Sequence, residues 1–235
     1  MTDEPIYDFH THSFLSDGVF SPIELIRRVH VLGYQSIAIT DHVGSGGIEQ
    51  LLASLAADCA EAERHWGIRC LPGVELTHLP PEAIANAAAR ARRAGAAIVV
   101  VHGESITEPV VVGTNRAAVV CPDVDILGHP GLITAEDVQL AREHGVYLEV
   151  SAKPGHGLTN GHVARLARHI GAPLIVNSDG HRPGDYLTSS MARNVALGAG
   201  LPETELTDLL QDEPQRLLER VEQRRVALPS TAQPA

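Results

Sequence analysis

Short, nearly unbroken apolar runs alternate along the chain with longer stretches in which apolar residues recur every three or four positions. The runs fall at 6–11, 36–42, 69–76, 97–102, 125–129, 146–151 and 174–179. Several, such as Ala96-Ala97-Ile98-Val99-Val100-Val101, lack the in–out alternation of a half-buried strand and suit strands covered on both faces, as in a parallel sheet. The stretches between predict helices. Ser21-Pro22-Ile23-Glu24 has capping-box spacing with Pro at the first helical position, opening a helix that runs to about Leu32 and is stopped by Gly33. Further helices are expected at 47–66, 81–94, from Thr134-Ala135-Glu136-Asp137 onward, and at 160–170, 188–199 and 203–224. Successive βα units without a linker predict a single domain over 1–226, an α/β barrel, with an open doubly wound sheet as the alternative. A tail over 227–235, rich in Pro, Ser and Ala, is expected to be disordered.

Polar residues collect where the apolar runs stop. His10-Thr11-His12 ends the first run, with Asp17 five residues on. The second ends in Asp41-His42, the third in Glu75, the fourth in His102-Gly103-Glu104, the fifth in His129 and the seventh in Asp179-Gly180-His181. Strand side chains alternate faces, so His10 and His12 point one way, as do Asp179 and His181. A lone His beyond a strand is ordinarily a hydrogen-bonded loop residue, and His-x-His alone is a weak motif. Six of the thirteen His, however, lie just past five different runs with carboxylates at the same level. In a barrel that level is the face where active sites lie. Nine side chains, His10, His12, Asp17, His42, Glu75, His102, His129, Asp179 and His181, therefore form a candidate site for two or three divalent ions. Imidazole and carboxylate donors suit zinc, iron or manganese.

Composition narrows the partners. A formal net charge of −11 argues against extended nucleic acid or an anionic membrane. Three scattered Cys with no CxxC fit reduced thiols. No early segment reads as a signal peptide or membrane span, so a cytoplasmic protein is expected.

The nine residues, in this order, resemble the metal motifs of the polymerase and histidinol phosphatase (PHP) family, from about Tyr7 to His181. Val101-His102-Gly103-Glu104, Thr114-Asn115-Arg116 and Gly128-His129-Pro130-Gly131 look most like its short stand-alone, histidinol-phosphatase-like members. The resemblance implies a distorted (βα)7 TIM-like barrel with a trinuclear site at the C-terminal ends of the strands. It would place His10, His12, Glu75 and Asp179 on one ion, Glu75, His102 and His129 on a second, and Asp17, His42 and His181 on a third. It also implies a metal-dependent phosphoesterase acting on a small phosphorylated metabolite such as histidinol phosphate or a nucleotide. A hydroxide held between the ions would attack phosphorus in line.

Asp17, Glu75 and Asp179 are the carboxylates expected to take part in catalysis. Arg116, Lys153 and Arg182 are expected on the catalytic face as cations for the phosphate, Lys153 being the chain's sole lysine. Asp17, Glu104, His78 and His156 are candidate proton donors, and Asp41 is expected to orient a ligand. Competing readings are a phosphodiesterase or exonuclease on short oligonucleotides, a non-catalytic ribonuclease P-type subunit, and an amidohydrolase. The complete ligand set and the negative charge weigh against the subunit.

Overall fold

The computed structural model describes residues 5–227. Its elements run β1 (Ile6–Asp8), α1 (Pro22–Val31), β2 (Tyr34–Ile39), β3 (His42–Val43), α2 (Ile48–Trp66), β4 (Arg69–Leu76), α3 (Pro81–Arg93), β5 (Ile98–His102) and α4 (Thr114–Val119). They continue with β6 (Ile126–Gly128), α5 (Ala135–His144), β7 (Tyr147–Ser151), α6 (Asn160–Ile170), β8 (Leu174–Asn177), α7 (Ser189–Gly198) and α8 (Glu213–Ala227). The strands pair in parallel in the order β1-β2-β4-β5-β6-β7-β8, with β3 paired to the end of β4. Between the first and last strands a ladder gives way to single contacts. Thr11 bridges Gly180, His12 N–H donates to the Gly180 carbonyl at 2.9 Å, and Phe9 N–H donates to Asn177 Oδ1 at 2.9 Å. The result is a nearly closed barrel of seven strands, as the sequence predicts.

Local chemistry sets the helix ends. Ser21 Oγ accepts from Glu24 N–H with Pro22 at the first helical position, and Thr134 does the same for Asp137. Three expectations change. The run at 36–42 is not one strand, because Thr40 and Asp41 leave the ladder; Thr40 N–H turns to the Thr11 carbonyl at 2.8 Å, and His42 resumes against Glu75. The helix expected over 203–224 is broken into a 3₁₀ turn at Glu203–Glu205 and a π turn at Asp208–Asp212 before α8. Pro214 has no N–H to give the preceding turn, so the regular helix restarts with Pro214 at its beginning. A six-residue helix, α4, also stands where only a loop was expected. The tail expected at 227–235 lies, beyond Ala227, outside the described residues.

The core has two parts. Helices α1 to α7 pack their apolar stripes on the outside of the sheet. Inside, Phe9, Ala38, Leu71, Ile98, Val100, Ile126 and Ile175 fill the barrel, and Leu217 and Val221 of α8 join them. Helix α8 thus closes the N-terminal end of the barrel and leaves the C-terminal end open. Among the described residues no helix is long and apolar enough to cross a membrane.

Candidate metal centre

At the open end, strand alternation turns Thr11 outward, its hydroxyl donating to the Ala38 carbonyl at 2.7 Å, and buries His10 and His12 fully. Glu75, at the end of β4, is also fully buried, and the imidazoles surround it. Its Oε1 lies 2.9 Å from His102 Nδ1, 3.3 Å from His10 Nε2 and 3.4 Å from His129 Nε2. Its Oε2 lies 2.6 Å from His42 Nδ1 and 3.6 Å from His12 Nε2. Asp179 approaches from β8, with Oδ1 3.3 Å from His12 Nε2. Asp17 Oδ1 stands 3.2 Å from His181 Nε2 and 3.6 Å from His42 Nε2. All nine predicted ligands meet at one mouth.

They sort into sets that could each hold an ion. Donor atoms of His10, His12 and Asp179 lie within 4.8 Å of one another, as do those of His12, Asp17, His42 and His181, and those of His42, Glu75 and His102. Central Glu75, with imidazoles at both oxygens, is placed to bridge. The buried atoms His10 Nε2, both ring nitrogens of His12 and both ring nitrogens of His129 have no hydrogen-bond partner among the described residues. Buried polar atoms are nearly always satisfied, so this concentration at one point fits a site shaped for cations.

The surrounding residues aim the ligands. Glu149 on β7 accepts from His10 Nδ1 at 2.7 Å and from His129 N–H at 2.9 Å, leaving His10 Nε2 directed inward. Asp41, expected to orient a ligand, instead fastens the loop that carries Asp17: it accepts from Ser13 N–H, Ser13 Oγ and Ser16 Oγ at 2.6–2.7 Å. That loop packs so tightly that a Cβ on Gly18 would meet the His12 carbonyl oxygen at 2.2 Å. His129 and Asp179 take positive φ angles of 28° and 51°, strained conformations that turn both side chains into the mouth.

Electrostatics follows from this crowding. Burial pushes the Glu75 carboxyl up, but the imidazoles of His42, His10 and His102 outweigh it and hold Glu75 well below the usual carboxylate range. Asp179 is likewise low, with His10, His12 and His156 overcoming burial. Burial lowers His12 to about 3, leaving it neutral as a ligand must be. His42 goes the other way, to about 9, because Glu75 and Asp17 outweigh its burial.

A cavity of about 770 Å³ opens over the ligands, lined in part by Asp17, His42, His102, Asp179 and His181. Lys153 and Arg182 also line it. Lys153 Nζ lies 2.6 Å from His181 Nδ1 and 3.5 Å from Asp179 Oδ1. Arg116 does not reach it. It sits on α4 rather than on a loop, and its guanidinium is engaged by Glu136, at 3.0 Å, and Asp137 of α5, on the outer helical layer. Among the candidate proton donors, Asp17, His78 and His156 line the cavity. Glu104 instead accepts from Gly113 and Asn115 N–H at 2.9 Å each.

Two carboxylates were missed by sequence reasoning. Glu149 had a signal, a charge inside the apolar run Tyr147-Leu148-Glu149-Val150. Glu108, in the loop after β5, had none, yet its Oε2 lies 2.7 Å from His102 Nε2 and its Oε1 3.2 Å from His156 Nε2.

The sequence matches the PHP domain family over residues 8–153. The chain belongs to this family. It is thereby a metal-dependent phosphatase or phosphoesterase. An uncharacterized protein of Methanocaldococcus jannaschii is 43% identical over 216 residues, covering 92% of this chain and 99% of the relative. Ribonuclease P protein component 3 of Methanosarcina mazei is 26% identical, covering 91% and 89%. A probable phosphatase of Thermoanaerobacter sp. is 27% identical, covering 84% and 88%. In fold, this PHP protein is similar to the histidinol phosphate phosphatase of Lactococcus lactis subsp. lactis, solved with zinc, L-histidinol and phosphate. The TM-score is 0.56 at 13% identity, covering 85% of this chain and 95% of that one.

Proposed function

We propose that the protein hydrolyses a small phosphomonoester, of the histidinol phosphate or nucleotide kind, with two or three divalent zinc, manganese or iron ions held by the nine ligands. The carrying observation is the meeting of unpartnered imidazole nitrogens, buried carboxylates, Lys153 and Arg182 around one cavity. Ions bound there would make a nucleophile of water at neutral pH and offset charge on the phosphoryl oxygens. Lys153 and Arg182 would hold the phosphate, whose dianion matches cations at one wall. Asp17 acts as a ligand rather than a proton donor: burial raises its carboxyl, but His181, His42 and His12 hold it well below the usual range, so it stays ionised. That leaves His156 and His78 at the cavity wall for the proton the leaving alkoxide needs.

The substrate is a small metabolite in the cytoplasm rather than an extended nucleic acid or a membrane lipid. The net charge of −11 would repel a long polyanion outside the pocket. Intact ligands favour catalysis over a non-catalytic role in a ribonuclease P particle. The test is a screen of p-nitrophenyl phosphate, its bis ester, histidinol phosphate and nucleotides with Mn²⁺ and Zn²⁺. Faster turnover of the monoesters is expected. Preference for the bis ester, or no hydrolysis with either ion, would overturn the reading.

A further inference from the structure

Beyond the nine ligands, one carboxylate joins both sides of the centre from a loop. The base of the 103–113 segment is fastened twice: Glu104 Oε1 accepts from Gly113 and Asn115 N–H, and Asn115 Oδ1 accepts from Glu104 N–H at 2.9 Å. Asn115 Nδ2 ties this base to the Pro130 carbonyl at 2.8 Å, beside His129. The arch so anchored carries Glu108 over the cavity. Its two oxygens take the Nε2 atoms of His102 and His156 at 2.7 and 3.2 Å. The opposite nitrogens of those rings meet the two central carboxylates, His102 Nδ1 at 2.9 Å from Glu75 and His156 Nδ1 at 2.9 Å from Asp179. Glu75, His102, Glu108, His156 and Asp179 thus form one chain of contacts, closed by a residue outside the barrel strands.

We propose that Glu108 is a positioning residue of the metal centre, fixing the ring of His102 so that Nδ1 faces the Glu75 corner, and holding His156 against Asp179. Its place relative to His102 parallels that of Glu149 relative to His10, where the carboxylate takes the nitrogen turned away from the ligand cluster. A ring held in this way has a fixed tautomer and is a more basic ligand, and removing such a partner typically weakens metal binding by roughly 10- to 100-fold. Glu108 is the more telling of the two. Glu149 is fully buried within a barrel strand, whereas Glu108 is about a third exposed and lies on an arch outside the barrel strands.

The inference rests on the site being a metal centre, not on its substrate. The test compares full-length wild type, Glu108→Gln and Glu108→Ala. Zinc affinity is read by competition with a chromogenic chelator and zinc content at saturation by elemental analysis. Expected is a 10- to 100-fold rise in the Kd of one ion in Glu108→Ala, a smaller rise in Glu108→Gln, unchanged content at saturation, and an unchanged melting temperature of the metal-free protein. Unchanged affinity in Glu108→Ala would overturn the proposal. So would loss of a whole ion at saturating zinc, which would make Glu108 a ligand itself. A wild type that binds zinc but hydrolyses no phosphomonoester would defeat the proposed function and leave this result standing.

Discussion

The two ends of the barrel both bury charge, and they treat it in opposite ways. At the closed end Asp125 is fully buried, and Arg92, Arg220 and Arg224 surround it, Arg220 at 3.2 Å and Arg224 at 2.6 Å, while Val99 N–H donates to it at 3.0 Å. Burial would raise that carboxyl, but the three guanidinium groups hold it low. Its carboxylate oxygens are answered from within the chain, Arg220 Nε is the one buried atom of the cluster without a partner among the described residues, and two of the arginines come from α8, so the cluster fastens the plug helix to the sheet. At the open end the buried carboxylates and imidazoles crowd together, and five imidazole nitrogens of His10, His12 and His129 have no hydrogen-bond partner among the described residues. A satisfied cluster stabilises a fold, whereas an unsatisfied one costs stability unless a ligand completes it. The contrast separates structural charge from functional charge without reference to any relative.

That contrast can be broken by mutation. The largest effect is expected from Asp179→Ala at the mouth. Phosphomonoester hydrolysis should fall below detection while the metal-free protein melts no lower than wild type, and retained hydrolysis would remove Asp179 from the centre. Asp125→Ala at the plug should do the reverse. Removing one partner of a buried ion cluster leaves stranded charge and costs about 3–5 kcal/mol. Denaturant unfolding should show that loss, with activity per folded molecule preserved. A stability change under 1 kcal/mol would mean that α8 is held by Leu217 and Val221 alone.

A smaller change sharpens the mouth itself. Lys153→Ala should raise the KM for a phosphomonoester by roughly 10- to 100-fold, since a charge-assisted hydrogen bond contributes about 1.5–3 kcal/mol. An unchanged KM would leave Arg182 as the phosphate's cation. The smallest effect is expected from Arg116→Ala, whose ion pairs are solvent-screened and lie outside the cavity. Its KM should match wild type, and a tenfold rise would return Arg116 to the substrate site.

What could be read from the sequence follows from the range of the forces involved. His10, His12 and Glu75 were legible because strand phase is local, whereas Asp179 and His181 lie beyond β8, with Asp179 at φ 51°, and were marked by standing just past a recognised strand rather than by its alternation. The broken second strand was not legible, because Asp41 leaves the ladder to serve Ser13 and Ser16, partners set by tertiary approach. Arg116 was misplaced for a similar reason. Gly113, at φ 99°, starts a helix too short to show periodicity, and that helix carries the guanidinium to α5. Glu108 reaches the centre from an arch whose path no pattern in the chain encodes.

The central claim is that the nine side chains hold transition ions. Its most direct test is elemental analysis of protein purified without chelator, with His12→Ala alongside. The account predicts more than one transition ion per wild-type chain and fewer in the variant. A wild-type protein that carries none, and takes up none when dialysed against Zn²⁺ or Mn²⁺, would contradict it.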